Sequence, residues 1–158
     1  LDAEGELVLD GPQKFLGYID PELDAHAYAD GTWFRTGDLG IVQSDGNVRI
    51  TGRLKDIIIR NAENISALEV EEALFKHADV LDAAVIGLPD RRTGERVCAV
   101  VVLREGATLT IEDLRLHCKV LGLAIQKCPE QLEITEAIPR NGMGKTLKQP
   151  LVATYRSS

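Results

Sequence analysis

The sequence predicts an α+β fold, in which a small domain with a central β-sheet flanked by helices follows a β-rich segment. Residues 80–88 and 97–103 are rich in β-branched side chains and predict strands. Ser66 and Thr110 are typical N-cap residues, and each precedes a stretch of helical character. Strands and helices therefore alternate along most of the chain, whereas residues 1–52 carry strand and turn signals and few helix signals.

The β-rich segment predicts short strands joined by turns. A strand that begins at Trp33 is expected to run into a tight loop at residues 36–40. Asp45 and Gly46 form a dipeptide that is typical of the bend in a β-hairpin. The predicted strands, in chain order, are residues 5–10, 33–34, 41–42 and 48–51.

The rest of the chain predicts strands interleaved with helices. Ser66 is expected to cap a helix that ends near His77, with Glu69 at the reciprocal capping-box position. Thr110 is expected to cap a second helix that ends near Leu121. The other predicted elements are strands at 57–59, 80–88, 97–103 and 131–134, polar loops at 61–64 and 139–144, and a final helix at 145–155.

Charge and cysteine usage narrow the possible functions. The net charge is −7, so we expect neither nucleic-acid binding nor binding to an anionic membrane surface. No apolar run approaches the roughly 20 residues that span a bilayer, so we expect no membrane span. The three cysteines are widely spaced and predict neither a disulfide framework nor a metal site, which favours a reduced, cytoplasmic compartment. Because the chain begins inside a patterned segment, we expect a piece of a longer protein.

Three polar residues are candidates for chemistry. The carboxylate of Asp38 could accept hydrogen bonds from the vicinal hydroxyls of a ribose, or it could bond its own backbone in a turn. The guanidinium of Arg53 suits phosphate or diol oxygens, or it is an ordinary charge at the start of a strand. Lys145 follows a glycine-rich loop whose backbone can approach an anion closely, although a plain loop before a helix is the alternative.

The order of these segments resembles the C-terminal motifs of the adenylate-forming superfamily. The chain shows G-E-L, G-P, G-Y, T-G-D-L, G-R-L-K-D, E-N-I and P-R-N-G-M-G-K in one series. The superfamily includes acyl-CoA synthetases, luciferases and the adenylation domains of peptide synthetases. The R-L-K-D-I-I and E-N-I segments are most similar to fatty-acyl or related CoA ligases. The resemblance therefore implies the C-terminal part of an AMP-forming acyl-CoA synthetase.

The resemblance implies a reaction in two steps. A carboxylic acid, expected to be a fatty acid, reacts with ATP to give an acyl-adenylate and pyrophosphate, and the thiol of CoA then attacks the adenylate. Mg²⁺ is expected to accompany ATP and to be bound mainly by an N-terminal domain, with no metal ligand in this chain. Since the phosphate loop and the acyl pocket of the family lie upstream, the isolated chain is expected to be inactive.

The resemblance also implies roles for the matching residues. Asp38 is expected to bind the ribose hydroxyls, and Arg53 to contact ribose or phosphate. Lys55 occupies the position of the hinge about which the small domain swings. Lys145 is expected to bridge the carboxylate and the α-phosphate of ATP, where it stabilises charge that grows in the transition state. The residues expected along the path of the CoA pantetheine are Ala62, Glu63 and Asn64, with alanine at position 62 in place of the usual glycine.

The resemblance also implies a division into two domains, and two alternative functions remain open. Residues 1–52 are expected to be the β-rich tail of an N-terminal adenylation domain, and residues 53–158 the mobile C-terminal domain. One alternative is an adenylation module that loads its acyl group onto a carrier protein. The other is a non-catalytic regulatory module that keeps the fold. Intact Asp38, Arg53 and Lys145 argue against the second alternative.

Overall fold

A computed structural model describes residues 3–156, and the chain divides into two compact units. The first unit ends at Lys55 and the second begins at Asp56. The sequence places the division earlier, after residue 52. Arg53 lies with the first unit because it ends a strand that pairs with residues of that unit.

The first unit is built on a four-stranded antiparallel sheet. Its longest strand, β3, pairs with each of the other three. The strands are β1 (Gly5–Leu9), β2 (Tyr28–Ala29), β3 (Trp33–Val42) and β4 (Val48–Arg53). The predicted hairpin is confirmed, since Val42 and Val48 are paired across β3 and β4 and Gly46 has a φ of 85° in the turn.

A short helix in the first unit was not predicted. Helix α1 (Pro21–Ala27) has Pro21 in its first turn, and the side chain of Asp20 accepts a hydrogen bond from the backbone N–H of Glu22. Proline in the first turn and aspartate at the N-cap are both ordinary signals for a helix start. The expectation of few helix signals before residue 53 was therefore wrong at this position.

The tight loop predicted at residues 36–40 is also wrong, because these residues lie inside β3. Gly37 has a φ of 72°, and the pairing register with β4 shifts between Leu39 and Gly40. A side chain at Gly40 would place its Cβ 2.9 Å from the carbonyl oxygen of Arg49. The glycines of this segment therefore mark a bulged strand with a close backbone approach, and not the end of a strand.

The second unit contains a five-stranded mixed sheet with the strand order β6-β5-β8-β7, and β9 runs parallel to β8. The predicted strands at 57–59, 80–88, 97–103 and 131–134 are confirmed with small extensions. The strands are β5 (Ile57–Arg60), β6 (Glu63–Ser66), β7 (Val80–Asp90), β8 (Gly94–Leu103) and β9 (Gln131–Ile134). The helices are α2 (Ala67–Leu74), α3 (Ile111–Val120) and α4 (Lys148–Tyr155).

Both predicted helix caps are present. The hydroxyl of Ser66 accepts a hydrogen bond from the N–H of Glu69 at 3.4 Å, and that of Thr110 accepts one from the N–H of Asp113 at 3.1 Å. Helix α2 ends at Leu74, earlier than predicted. The α+β class with helices flanking a central sheet is thus confirmed.

Helices cover both faces of the central hairpin formed by β7 and β8. Val85 shares one buried cluster with Leu74 of α2 and Leu114 of α3. Ile86, the next residue of β7, belongs to a second cluster with Leu151 of α4. A strand that is buried on both faces has apolar residues at successive positions. Residues 80–88 therefore do not alternate between apolar and polar side chains.

The three cysteines are core side chains. Cys98, Cys118 and Cys128 are buried and form no disulfide. Burial raises the pKa of the Cys98 thiol to about 12 and that of the Cys118 thiol to about 11. These thiols therefore stay neutral near pH 7 and are poor nucleophiles. Within residues 3–156, no helix is long and apolar enough to cross a membrane.

Candidate functional site

The hairpin of β3 and β4 brings two predicted site residues together. Asp38 of β3 and Arg53 of β4 are paired across the sheet, and the Nε of Arg53 donates to Oδ1 of Asp38 at 2.7 Å. Thr36 orders the same strand, because its hydroxyl donates to the carbonyl oxygen of Leu7 at 2.7 Å and accepts from the N–H of Asp38 at 3.0 Å. The sheet therefore holds the carboxylate and the guanidinium in a defined geometry.

This pair remains open to solvent. The side chain of Arg53 is 46% exposed and that of Asp38 is 26% exposed. Within residues 3–156, the carboxylate of Asp38 accepts a hydrogen bond from Arg53 and from no backbone N–H group. This geometry argues against the turn interpretation of Asp38. A carboxylate edge beside a guanidinium fork can accept hydrogen bonds from vicinal hydroxyls while the guanidinium donates to a neighbouring oxygen.

Lys55 lies where the first unit ends. It is exposed and belongs to the one-turn helix Leu54–Asp56. A hinge residue must absorb backbone rotation without unpacking a core, and an exposed position at a boundary between compact units allows that. The hinge role of Lys55 stays a prediction.

The loop that carries Lys145 is ordered by one side chain, that of Asn141. Its Oδ1 accepts hydrogen bonds from the N–H groups of Met143 at 3.0 Å and Lys145 at 2.9 Å. The backbone N–H of Asn141 donates to the carbonyl oxygen of Lys145 at 2.9 Å. Gly144 has a φ of 80°, which glycine adopts without steric cost. Lys145 is thus fixed at both its N–H and its carbonyl group.

The final helix begins later than predicted, at Lys148 instead of Lys145. Thr146 forms an antiparallel bridge with Arg140, and the N–H of Leu147 donates to the carbonyl oxygen of Pro139 at 2.8 Å. These two contacts close the loop on itself and delay the first helical turn. Lys145 therefore lies in a closed loop before the helix and not in its first turn.

Arg140 fastens the Lys145 loop to the sheet of the second unit. Its Nη2 donates to both carboxylate oxygens of Asp82 at 2.8 Å, and its Nη1 donates to the carbonyl oxygen of Gly144 at 3.0 Å. Asp82 belongs to β7, so one guanidinium connects the turn of the loop with the central hairpin. Neither Arg140 nor Asn141 was a predicted site residue. The Asn-Gly pair at 141–142 is a turn signal that could have identified Asn141, but no local pattern predicts the partner of Arg140.

Lys145 itself is exposed, and within residues 3–156 its ammonium forms no ion pair. The backbone beneath it is held by hydrogen bonds while the charged end of the side chain is available to a ligand. A positioned cation of this kind can stabilise negative charge that develops on a phosphoryl oxygen.

Residues 61–64 do not form the predicted polar loop. Strands β5 and β6 make a tight hairpin whose closing pair is Arg60 and Glu63, and its turn residues are Asn61 and Ala62 with φ of 49° and 62°. Asparagine tolerates the left-handed region, whereas alanine there costs about 1–2 kcal/mol. The Ala62 position therefore requires a glycine-like backbone. Glu63 and Asn64 are exposed at the start of β6.

An ion pair supports the turn end of this hairpin. Nε and Nη2 of Arg60 donate to the two carboxylate oxygens of Glu130, each at 2.9 Å. The N–H of Glu130 donates to the carbonyl oxygen of Val97 at 2.8 Å, which ties the pair to β8. The hydrogen bonds with Glu130 raise the pKa of Arg60, and those with Arg60 lower the pKa of Glu130.

Replacing Glu130 with glutamine is expected to lower the free energy of unfolding at pH 7 by about 2 kcal/mol, because hydrogen bonds to charged groups contribute in this range. Since the pKa of Glu130 is lowered in the folded state, its contribution is complete above the unfolded-state value of about 4.3 and is lost as pH falls through the folded-state value. Denaturant unfolding of the wild type and Glu130→Gln at pH 7 to 3 measures this difference.

The exposed Glu136 supplies a matched control. The Glu136→Gln variant is expected to unfold within about 0.5 kcal/mol of the wild type. The prediction for Glu130 is contradicted if the difference between Glu130→Gln and the wild type stays the same from pH 7 to pH 3.

The chain is similar in sequence to a known protein family and to several characterised enzymes. Residues 69–145 match the family described as the AMP-binding enzyme C-terminal domain. The chain is 42% identical over 148 residues to a medium-chain fatty-acid–CoA ligase of Escherichia coli, a match that covers 92% of this chain and 26% of that protein. It is 40% identical over 150 residues to a salicyl-AMP ligase and salicyl-S-ArCP synthetase of Mycobacterium tuberculosis, covering 94% and 26% of the two chains.

The chain is also similar in structure to a protein of the same kind whose crystal structure is known. The crystal structure of ATP-bound MatB from Rhodopseudomonas palustris superposes with a TM-score of 0.90 at 35% sequence identity, covering 98% of this chain and 31% of that one. The present chain spans about a quarter of the length of the two curated relatives described above.

Proposed function

This chain belongs to the adenylate-forming superfamily, with its AMP-binding enzyme C-terminal domain at residues 69–145, and we propose on that premise that it is the C-terminal part of an AMP-forming acyl-CoA ligase. The complete enzyme joins a carboxylic acid to ATP, releases pyrophosphate, and transfers the acyl group from AMP to the thiol of CoA. This chain supplies charged groups to the first step and a surface to the second.

The observation that carries this proposal is the geometry of Lys145. Its backbone is fixed through Asn141, and through Arg140 its loop is tied to Asp82 in the sheet. Its side chain is exposed. In adenylate formation, negative charge grows on the α-phosphate as the carboxylate attacks. A cation that is positioned in advance stabilises this charge without a reorganisation cost.

The pair of Asp38 and Arg53 is proposed to bind the nucleotide. Oδ1 of Asp38 is occupied by the Nε of Arg53, so the second carboxylate oxygen is the natural acceptor for a ribose hydroxyl. The two Nη atoms of Arg53 are the natural donors to a ribose or phosphate oxygen. Arg53 therefore serves two purposes, because it also holds Asp38 in place.

The domain roles follow from the same premise. We assign residues 1–52 to the end of an N-terminal adenylation domain and the chain beyond the proposed hinge at Lys55 to the mobile C-terminal domain. In the second step the turn at Ala62, with Glu63 and Asn64, lies along the pantetheine of CoA. The exposure of these residues and the tightness of their hairpin are compatible with a passing ligand.

Mg²⁺ is proposed to accompany ATP without ligands from this chain. Within residues 3–156, no group of three or more His, Cys, Asp or Glu side chains could hold a metal ion. We propose that the ATP phosphates and the preceding domain bind Mg²⁺.

We also propose which class of acid is activated and which thiol accepts the acyl group. The R-L-K-D and E-N-I segments favour a fatty acid and CoA, and the three widely spaced cysteines favour a cytoplasmic enzyme. The similarity to the salicyl-S-ArCP synthetase supports a carrier protein as the alternative acceptor. These two acceptors share the phosphopantetheine thiol, so the residues near Ala62 do not separate them.

Assays of the full-length enzyme and of this chain alone test the proposal. The full-length enzyme is expected to catalyse ATP–pyrophosphate exchange with at least one acid of a panel of fatty, dicarboxylic and aromatic acids, and to form its thioester with CoA. This chain alone is expected to show no exchange. Thioester formation on a phosphopantetheinylated carrier protein but not on CoA favours the alternative. Absence of exchange by the full-length enzyme with every acid, or robust exchange by this chain alone, contradicts the proposal.

A further inference from the structure

A second lysine near the end of the chain is held in an ion-pair network that the reaction scheme does not use. Lys148 is the first residue of α4, and its Nζ lies 2.9 Å from Oε1 of Glu71 and 3.7 Å from Oδ2 of Asp56. The side chains of Lys148 and Glu71 are only 18% and 15% exposed. The same Oε1 of Glu71 accepts a hydrogen bond from the N–H of Val85 at 2.9 Å.

This network joins elements that are distant in the chain. Glu71 belongs to α2, Val85 to the middle of β7, and Asp56 is the residue at which the second unit begins. Lys148 therefore connects the start of α4 with the central sheet, with a flanking helix and with the residue that follows Lys55.

The position of Lys148 is unfavourable for helix stability by itself. Backbone N–H groups give a helix N-terminus a partial positive charge, so a cation in the first turn is destabilising. Leu147, the N-cap residue of α4, has an apolar side chain and forms no side-chain cap. The carboxylates of Glu71 and Asp56 offset this unfavourable charge. The network thus defines where α4 begins.

We propose that Lys148 is a positioning residue for Lys145, an inference that rests on the proposed adenylate-forming function. Two residues, Thr146 and Leu147, separate the two lysines along the chain, and they are bonded back to Arg140 and Pro139. A displacement of the α4 start therefore moves the whole Lys145 loop. The ion pairs of Lys148 hold the loop at a constant distance from Asp56, beside the predicted hinge.

The first test measures the order of the loop in the 158-residue chain, without any activity assay. In Lys148→Met, hydrogen exchange at the amides of Gly144, Lys145 and Leu147 is expected to accelerate by about 5- to 20-fold, because local opening costs less free energy. Amides of the buried β7–β8 hairpin are expected to exchange as in the wild type, which separates local loosening from global unfolding. Lys148→Arg, which keeps the charge, is expected to restore most of the protection.

The second test measures catalysis in the full-length enzyme. Lys148→Met is expected to lower kcat for adenylate formation by about tenfold, since a misplaced catalytic group loses rate, while the KM for ATP changes by less than about twofold. Lys148→Arg is expected to recover most of kcat. Lys119→Met, which changes an exposed lysine of α3, is the matched control and is expected to leave both parameters unchanged.

Two results overturn the proposal: unchanged loop exchange in Lys148→Met, or a loss of kcat in Lys148→Arg as large as in Lys148→Met. If the full-length enzyme forms no acyl-adenylate with any acid, the proposed function fails. The exchange experiment then still decides whether Lys148 orders the loop.

Discussion

Replacing Lys145 with alanine is expected to slow adenylate formation by the full-length enzyme by about 100- to 1,000-fold, the usual cost of removing one preorganised transition-state donor. The KM for ATP is expected to change by only a few-fold, because the contact strengthens mainly as charge grows on the α-phosphate. The measurement is ATP–pyrophosphate exchange with a saturating acid substrate. The loop fold is expected to survive, since its hydrogen bonds use the backbone of Lys145 and not its side chain.

Thioester formation, the second half-reaction, serves as an internal control in the Lys145→Ala variant. Thioester formation from supplied acyl-adenylate and CoA is expected to stay within a few-fold of the wild type, since the proposed swing of the small domain moves Lys145 away from the adenylate before AMP leaves. Lys119→Ala, at an exposed position of α3, is expected to retain both half-reactions. A loss of exchange smaller than about threefold in Lys145→Ala would contradict the catalytic role, because a contact made in the transition state is worth more than that.

Replacing Asp38 with alanine is expected to raise the KM for ATP by about 10- to 100-fold, corresponding to about 1.5–3 kcal/mol for hydrogen bonds to a charged group. The loss has two sources, because the ribose loses its acceptor and Arg53 loses the partner that lies 2.7 Å away. Steady-state kinetics with ATP and with 2′-deoxy-ATP separate them. The wild type is expected to discriminate between the two nucleotides, and Asp38→Ala is expected to discriminate much less.

Glu4 offers a control for the change in charge, since it is exposed in the same unit. Glu4→Ala is expected to keep the wild-type KM for both nucleotides. Undiminished discrimination between ATP and 2′-deoxy-ATP in Asp38→Ala would show that the carboxylate does not bind the ribose.

The sequence predicted correctly those elements that depend on interactions between residues close together in the chain. The caps at Ser66 and Thr110 depend on a side chain and a backbone N–H that lie three residues apart, so a short segment contains the whole interaction. The strands at 80–88 and 97–103 were predicted because residues buried on both faces leave an unbroken apolar run. Glycines were less informative, since those at 37 and 40 proved to mark a bulge inside a strand.

Short-range patterns in the sequence were enough to predict the α+β class, the main strands and the helix caps. The partners of the charged side chains became visible only in the folded structure. Asp38 with Arg53, Arg140 with Asp82 and Lys148 with Glu71 are pairs whose members lie far apart in the chain. Such pairs depend on strand register and on the packing of helices against the sheet, which are set by the sum of many distant contacts. The ordered series of motifs predicted Lys145, whereas long-range pairing ties its loop to the sheet through Arg140 and, as we propose, positions it through Lys148.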